Sequence, residues 1–292
     1  MIDAMHWKVE HSISYRYSRP VALGAQHIRL RARADTRQQV LRFELDIRPP
    51  PPFLTNHTDS EDNATTTAWF QGNHQSLELA AHLEVQISDS NPFDFVLTEP
   101  AMSHLPVAYQ EPDRSLLGMY LVLQQEVSAK LEGFLKPVLV EAKYETVPFL
   151  NRLAMHISNS LKREDRKYGN FRTPEETLQK GKGACRDYAW LYVVACRSLG
   201  LAARFVSGYH IPPSSREKPE LHSWAEVFMP GAGWIGFDPS LGLAVSNRHI
   251  ALAASYDPAR TAPSSGMFWG KDVKSRLDTN ITVSSLEQLE QR

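Results

Sequence analysis

Cysteine is scarce in this chain, and so are long apolar runs. The 292 residues include two cysteines, Cys185 and Cys196, eleven positions apart on one predicted helix. Two cysteines so placed do not make the disulfide framework of a small secreted protein, so we expect a reducing compartment, the cytoplasm. No apolar run reaches the length of a membrane-spanning helix, and residues 1–8 lack the apolar segment of a signal peptide.

An excess of charge of one sign is also absent. The chain has 32 basic and 33 acidic residues and a formal net charge of −1, so we expect neither nucleic acid nor a membrane surface as a partner. The 11 histidines are scattered, with no His-Glu-x-x-His or Cys-x-x-Cys motif to indicate zinc. No glycine loop follows a strand with the spacing that phosphate binding needs. We therefore expect no metal and no cofactor.

Periodicity divides the chain into four segments. Alternating patterns at 7–15, 41–47 and 77–87 predict an antiparallel β domain, one sheet or a small sandwich, over residues 1–90. Three further segments follow it: a proline-containing bridge over 91–145 with an apolar-periodic stretch at 116–134, a core over 146–270 that opens with a helix at 147–163, and a β-like tail over 271–292. The tail strand, at 275–283, either extends the core or returns to the N-terminal domain. The last seven residues are too polar to assign.

The most informative segment is Gly-Ala-Cys-Arg-Asp-Tyr-Ala-Trp, which begins at Gly183. Apolar spacing and the stop signal at Gly200 predict a helix from Cys185 to Leu199. Cys185 then lies in the first turn, where unpaired N–H groups and the helix dipole stabilise a thiolate and can bind an oxyanion. Cys196 falls on the apolar stripe of the same helix and is interpreted as a small buried hydrophobe.

Two short strand patterns, at 225–228 and 234–237, flank a turn rich in glycine. If Phe228 pairs with Ala232, His222 stands directly opposite Asp238, with their Cβ atoms about 4.5–5.5 Å apart. The carboxylate then accepts from one imidazole nitrogen and leaves the other for the thiolate. A register change of one residue would place the two side chains on opposite faces.

Together these residues predict an acyl-transfer site with Cys185 as nucleophile, His222 as base and Asp238 as the orienting acid. Each has a simpler interpretation when taken alone. His222 is then a surface histidine with its hydrogen bonds satisfied, and Asp238, before a proline, begins a turn. The order of all three, with both strand ends correctly placed, favours the catalytic interpretation.

Four segments carry a family resemblance: Gly-Ala-Cys-Arg-Asp-Tyr-Ala, Leu-Ala-Ala-Arg-Phe-Val-Ser-Gly-Tyr, His-Ser-Trp-Ala-Glu-Val and Gly-Trp-Ile-Gly-Phe-Asp-Pro-Ser. They resemble the transglutaminase-like core over about residues 145–270, and more narrowly the bacterial transglutaminase-like proteins described as candidate cysteine proteases. The first 90 residues resemble the β-rich region that precedes this core in bacterial members. One departure is visible, since residues 254–260 replace the Gly-Arg-Asp-Tyr-like segment of those members.

The resemblance implies an α+β fold with a papain-like core, helices packed on an antiparallel sheet, behind an N-terminal antiparallel β domain. Carried over by motif, Cys185, His222 and Asp238 match the nucleophile, the base and the acid. Gln179 stands at the offset of the oxyanion-hole glutamine of papain-like enzymes, although an ordinary polar residue on a helix over 174–180 is favoured. Asp187 is favoured as structural rather than catalytic, and Trp224, like Trp190, either walls the cleft or belongs to the core.

The chemistry expected is attack of Cys185 on an amide or ester carbonyl of a peptide or protein substrate to give a thioester. Water as acceptor makes the protein a peptidase or amidase, which is favoured because the chain shows none of the extra β-domains of the large crosslinking enzymes. An amine acceptor makes it a protein-glutamine transglutaminase. A third alternative is a non-catalytic peptide-binding module. The resemblance also suggests association with peptide-ligase-like proteins.

Overall fold

The alternating N-terminal sequence forms one antiparallel sheet built around a single long strand. The computed structural model describes residues 4–88, 91–124, 126–166, 169, 171–213 and 219–285. The strands of this sheet are β1 (Ala4–Ile28), β2 (Gln38–Arg48), β3 (Phe53–Thr58), β4 (Ala64–Trp69) and β5 (Asn73–Ser88), in the order β2-β5-β1-β4-β3. Every second residue of β1 is buried over its first half, as the alternation predicts.

The C-terminal tail returns to this sheet. Two late strands, β13 (Ser264–Trp269) and β14 (Ser275–Ser285), both pair with β1. The pairing of β14 is continuous from Trp7 with Ser285 to Tyr17 with Ser275. Of the two placements left open by the sequence, the return to the N-terminal region is the observed one. The polar residues 286–292 lie outside the described residues.

The bridge contains short helices. They are α1 (Asp113–Leu116), α2 (Gly118–Leu121) and α3 (Ala129–Glu141), after a 3₁₀ turn at Pro100–Ser103. Ser128 caps α3 by accepting from the Leu131 N–H at 3.2 Å. Their buried apolar residues, such as Leu131 and Leu135, pack into the core of the following segment.

Three helices lead into the second sheet: α4 (Thr146–Ser160), α5 (Pro174–Lys180) and α6 (Cys185–Ser198). The helix α4 ends earlier than the predicted 163, because Lys162 and Arg163 form a short strand, β6, with β7 (Lys182–Gly183). A Thr173–Glu176 capping box begins α5, and Gly181, with φ 60°, ends it. No helix within the described residues is both long and apolar enough to cross a membrane.

The second sheet is antiparallel and has the order β11-β10-β9-β8-β12. Its strands are β8 (Ala203–His210), β9 (Glu220–Met229), β10 (Gly233–Asp238), β11 (Leu243–Ala244) and β12 (His249–Ser255). The helix α6 packs on β9 and β8, and the ring of its Tyr192 stacks on Phe237 of β10 with centroids 5.7 Å apart. Helices packed on an antiparallel sheet, behind an N-terminal antiparallel region, confirm the predicted α+β class.

The two sheets share an apolar core. Tyr209 of β8 and Ile250 of β12 belong to the same buried cluster as Val9 of β1. His11 of β1 is part of this junction, since its ring nitrogens lie 2.9 Å from the Tyr209 hydroxyl and 2.9 Å from the Thr279 hydroxyl. The N-terminal sheet, the returning tail and the second sheet are therefore held together by packing and by buried hydrogen bonds.

Candidate active site

Cys185 begins α6 and is half-buried. The residues before it are fixed by close contacts, since a Cβ atom on Gly183 would lie 2.8 Å from the ring of Tyr188 and 3.0 Å from Cβ of Asp187. A larger residue there would force the buried Tyr188 ring to shift, because real Cβ atoms do not approach so closely. The residues that precede Cys185 therefore form a packed turn at the start of the helix.

Asp187 fixes this turn from inside the helix. Its carboxylate is fully buried and accepts from the Ala184 N–H at 2.9 Å, the Arg172 N–H at 2.8 Å and the Arg166 guanidinium at 2.6 Å. Buried carboxylates need such donors, because burial without them is costly. The contacts are those of the structural role that the sequence favours for Asp187, and they hold the residue that precedes Cys185.

The hairpin that carries the other two residues has a different register from the predicted one. Phe237 pairs with Ala225, whereas pairing of Phe228 with Ala232 would have placed Phe237 opposite Ser223. The predicted register is therefore wrong by two residues. The Ala232 N–H donates to the Met229 carbonyl and closes the turn. Gly233, with φ 73°, begins the next strand, so the first pair of the hairpin is Met229–Gly233. A displacement by an even number keeps each side chain on its face, so His222 and Asp238 still meet.

His222 and Asp238 form a buried, hydrogen-bonded pair. Nε2 of His222 lies 2.7 Å from Oδ2 of Asp238, and the two residues are 1% and 0% exposed. The other ring nitrogen, Nδ1, makes no hydrogen bond of standard geometry with any described residue. The Cys185 thiol is near enough to this ring for its charge to raise the pKa of His222. One ring nitrogen is thus bound to the carboxylate, and the other is left without a hydrogen bond among the described residues.

The electrostatics favour an imidazolium at His222. Burial acts to lower the pKa of His222, but the charge and hydrogen bond of Asp238, together with those of Cys185, raise this pKa to about 10. Burial likewise acts against the charge of Asp238, yet His222 and the hydrogen bond from His249 hold its pKa well below the usual range. Burial raises the pKa of Cys196 far above that of a free thiol, as expected for a cysteine of the core.

Asp238 has further hydrogen-bond donors besides His222. Its Oδ1 accepts from the Ser240 N–H at 2.9 Å, the Ser240 hydroxyl at 2.8 Å and the Leu241 N–H at 3.2 Å. Its Oδ2 also lies 3.1 Å from Nε2 of His249. The Ser240 contacts have a sequence signal in the Asp-Pro-Ser turn, since Asp side chains bond the backbone two residues on. His249 has none, because only the fold brings β12 to this carboxylate.

His222, Asp238 and His249 are the described residues best placed to hold a metal ion. Their nearest ligand atoms all lie within 4.8 Å of one another. Hydrogen bonds account for this closeness, because both imidazoles point Nε2 at the same carboxylate oxygen. We therefore describe the cluster as a hydrogen-bonded acid between two histidines.

The remaining predicted support residues lie apart from this cluster or behind it. Gln179 is exposed on α5. Trp224 is buried, and its ring meets that of His249 edge to face with centroids 5.3 Å apart. Trp190 is also buried and belongs to the core beneath α6. No described hydrogen bond reaches Nε1 of Trp224.

An ion pair lies at the exposed side of the site and was not predicted. Arg163 of β6 and Glu220 of β9 are paired, and each is about half exposed. Glu220 Oε1 also lies 3.7 Å from Nδ1 of His222. The Arg163 guanidinium is close enough to Cys185 and Asp238 for their charges to act on it. This pair thus brings one charge of each sign to the rim of the site.

Comparison with known proteins agrees with this architecture. Residues 7–86 match the family model of the bacterial transglutaminase-like N-terminal region, and residues 137–239 match that of the transglutaminase-like superfamily. The second range contains Cys185, His222 and Asp238. The resemblance drawn from the sequence motifs is confirmed for both regions.

Individual relatives resemble the chain over nearly its whole length. An uncharacterized protein of Mycobacterium tuberculosis is 25% identical over 294 residues, 96% of this chain and 93% of that protein. One from Mycobacterium leprae is 21% identical over 284 residues, 96% and 98% of the two chains. The crystal structure of a candidate cysteine protease from Cytophaga hutchinsonii has a TM-score of 0.72 at 19% identity and covers 97% of this chain and 91% of that one. At this identity the likeness shows the shared fold.

Proposed function

We propose that this chain, which joins a bacterial transglutaminase-like N-terminal region to a transglutaminase-like superfamily core, is a cysteine-dependent acyl-transfer enzyme that cleaves an amide bond of a peptide or protein. One observation carries the proposal. His222 is bound to Asp238 through Nε2 at 2.7 Å, which leaves Nδ1 for the thiol at the start of α6. A nucleophile beside a base that a third group orients is the arrangement that acyl transfer through a thiol needs.

The first half of the reaction forms a thioester. The Cys185 thiolate attacks the carbonyl carbon, and the carbonyl oxygen takes up the negative charge of a tetrahedral intermediate. The proposal assigns the binding of this oxygen to N–H groups in the first turn of α6. The intermediate collapses as the carbon–nitrogen bond breaks, and the His222 imidazolium gives its proton to the departing amine. The acyl group then stays on sulfur.

The second half releases the acyl group to water. His222, now neutral, takes a proton from water, whose oxygen attacks the thioester carbonyl. Collapse of this second intermediate expels the Cys185 thiolate, releases a carboxylic acid and regenerates the thiolate–imidazolium pair. Asp238 remains a carboxylate throughout, because it orients the ring and stabilises its positive charge rather than taking the proton.

Trapping of the acyl-enzyme tests the nucleophile and the acyl donor together. A peptide library is mixed with the wild-type protein, quenched in acid and examined by intact-mass and peptide mass spectrometry. We expect an adduct on Cys185 that is absent from Cys185→Ala. An adduct elsewhere, or turnover by Cys185→Ala equal to that of the wild type, would refute the proposal.

The acceptor is tested by adding a fluorescent primary amine to the same reaction. Hydrolysis is the proposed outcome, so the acyl group should leave as a free carboxylic acid even when the amine is in excess. Stable incorporation of the amine into glutamine side chains would instead assign a transglutaminase. Tight peptide binding with no adduct and no turnover would assign a binding module.

The proposal includes a reducing location, the cytoplasm. Cys185 and Cys196 are both free thiols, and a nucleophilic thiol must stay reduced to act. Cell fractionation with an antibody against the chain tests this, and recovery of the protein outside the cytoplasmic fraction would contradict it.

A further inference from the structure

The carboxylate of Asp238 lies between two imidazoles. Its Oδ2 is 2.7 Å from Nε2 of His222 and 3.1 Å from Nε2 of His249, whereas its Oδ1 is occupied by donors from Ser240 and Leu241. All three members of the cluster are buried, with His249 4% exposed. The mechanism described above uses His222 and leaves His249 without a role.

The surroundings of His249 fix which of its nitrogens carries the proton. Nδ1 accepts from the Ser246 N–H at 3.3 Å, so the proton of the neutral ring is on Nε2 and is donated to Asp238. Burial lowers the pKa of His249, and the charge of His222 acts in the same direction, whereas Asp238 and the backbone of Ser246 act to raise it. Among the described residues, the ring of His210 on β8 also lies against that of His249, with centroids 5.0 Å apart.

A neutral donor has a particular effect on a catalytic carboxylate. It donates a hydrogen bond to the buried oxygen and leaves the negative charge of the carboxylate in place. A lysine or arginine in its position would neutralise that charge. It also shares Oδ2 with His222, so each of the two hydrogen bonds is weaker than it would be alone. This matters because the His222 imidazolium must give its proton to the leaving group, and an imidazolium held too strongly is a poor general acid.

We propose that His249 is a positioning residue that holds the Asp238 carboxylate through the same oxygen that His222 binds, and that it moderates the negative charge which this oxygen presents to the His222 ring. The inference rests on the proposed function. It assigns a fourth residue to the site: a neutral imidazole, His249, which affects the pKa of His222 through its hydrogen bond to Asp238.

Two variants separate this role from simple packing. His249→Phe keeps the bulk and removes the donor, whereas His249→Gln places an amide N–H near the position of Nε2. The first probe is iodoacetamide, whose rate of reaction with Cys185 is followed from pH 5 to 11. Loss of the His222 proton leaves a thiolate that still reacts, so it appears as an alkaline step in this rate, and the pH of this step is the alkaline limit of the ion pair. In His249→Phe we expect this limit to rise by about one pH unit, since a shared donor has been removed from a charged acceptor. In His249→Gln it should return toward the wild-type value.

The second probe is the leaving group. A p-nitroanilide and a p-nitrophenyl ester with the same acyl group, taken from the acyl-enzyme experiment, are compared. The anilide needs protonation by His222 and the phenolate does not. We expect kcat for the anilide to fall about tenfold in His249→Phe and kcat for the ester to change by less than about twofold. Equal losses for both substrates, or an alkaline limit that stays or falls, would overturn the proposal.

A matched control is His11→Phe. His11 is also a buried histidine with two hydrogen bonds, but it joins the two sheets and makes no described contact with the cluster. Its loss should lower the melting temperature and leave both the alkaline limit and the anilide-to-ester ratio unchanged. A shift of either quantity in His11→Phe equal to that in His249→Phe would count against a specific role for His249.

The wild-type protein provides a test that does not depend on any variant folding. Long-range ¹⁵N–¹H correlation spectra of the histidine rings report their tautomers. We expect His249 to be neutral with its proton on Nε2 at pH 7, and an imidazolium or an Nδ1–H tautomer would overturn the inference. The two proposals fail separately, since an unreactive Cys185 in the wild type refutes the acyl-transfer site, whereas a reactive Cys185 with an unchanged limit in His249→Phe refutes only the role of His249.

Discussion

Burial decides the charges at the scale of single residues. Asp238 and His222 are almost entirely removed from solvent, and burial acts against the charge of each. Placed together they stabilise one another, so that the pair is held as carboxylate and imidazolium. A cationic ring next to a thiol is what turns a weak nucleophile into an effective one.

The triad residues give the first prediction. Asp238→Asn keeps the shape of the side chain but removes the charge that stabilises the His222 imidazolium, so kcat/KM should fall by about 10²–10⁴. Cys185→Ala should abolish thioester formation and His222→Ala should nearly abolish it. Activity is measured on the substrate found by trapping, with circular dichroism as the check of folding. A rate for Asp238→Asn within threefold of the wild type would contradict the role of the acid.

The two cysteines give a second prediction, in which one serves as the control for the other. Cys185 should be alkylated by iodoacetamide at pH 6–7 at least about tenfold faster than free cysteine, because the His222 imidazolium stabilises its thiolate. The pKa of His222, about 10, means that this ion pair persists below that pH and is lost above it. Cys196 should stay unmodified until the protein unfolds, since it is fully buried. Mass spectrometry of digests distinguishes the two sites.

Equal and slow labelling of both cysteines would favour a binding module over an enzyme. The variant Cys196→Ala removes any ambiguity in the assignment, because its remaining thiol is the proposed nucleophile.

At the scale of elements, the start of α6 is held in place by the hydrogen bonds of one buried carboxylate, that of Asp187. Asp187 binds backbone donors on either side of the turn and the Arg166 guanidinium. Asp187→Ala would remove the buried acceptor of the Ala184 and Arg172 N–H groups and one member of an ion pair, so we predict a loss of about 3–5 kcal/mol in the free energy of unfolding. Urea denaturation measures this loss. Asp187→Asn should lose less, because it retains one acceptor oxygen, and equal losses would argue against the hydrogen bonds as the cause.

The second sheet depends on close contact at Gly208, which pairs with His222. A Cβ atom there would lie 2.1 Å from the Ile250 carbonyl oxygen and 2.6 Å from the ring of Trp224. Gly208→Ala must push β8 away from β12, so we predict a destabilisation of at least about 1–3 kcal/mol and a fall in activity.

Gly133→Ala is the matched control for this substitution. Gly133 lies in α3 with nothing within 4 Å of an added Cβ, so alanine there should stabilise the protein by about 0.5–1 kcal/mol. Thermal denaturation compares the melting temperatures of both variants with that of the wild type. An unchanged melting temperature in Gly208→Ala would show that β8 and β12 can separate without loss of stability.

At the scale of the whole molecule, His11 links the two sheets and the returning tail. Burial lowers the pKa of His11 from 6.5 to about 4, so between these values the folded protein binds fewer protons than the unfolded chain. Its contribution to stability is therefore complete above about pH 6.5 and is lost as the pH falls toward 4. The shift corresponds to about 3 kcal/mol.

His11→Gln removes this titration. We expect the free energy of unfolding of the wild type to fall more steeply between pH 6.5 and 4 than that of the variant. Urea denaturation at pH 7 and pH 4.5 measures the difference. Parallel curves for the two proteins would show that His11 is not held neutral in the folded state.

The sequence by itself determined the features that depend on neighbours along the chain. It placed Cys185 at the start of α6 and ended that helix near Gly200, because apolar spacing and glycine act within a few residues. It also put His222 and Asp238 on one face of a hairpin. That inference survived a register error of two residues, because the side-chain period of a strand is two.

Only the tertiary structure decided what depends on distant segments. The partners of Asp187, the return of β14 to β1 and the approach of His249 to Asp238 join residues that no local pattern connects. Sheet order and packing select these contacts, since a buried charge takes whichever donors the fold brings to it. The position of Cys185 at the start of α6 is thus determined locally, whereas the buried surroundings of His222 and Asp238 are assembled by the fold.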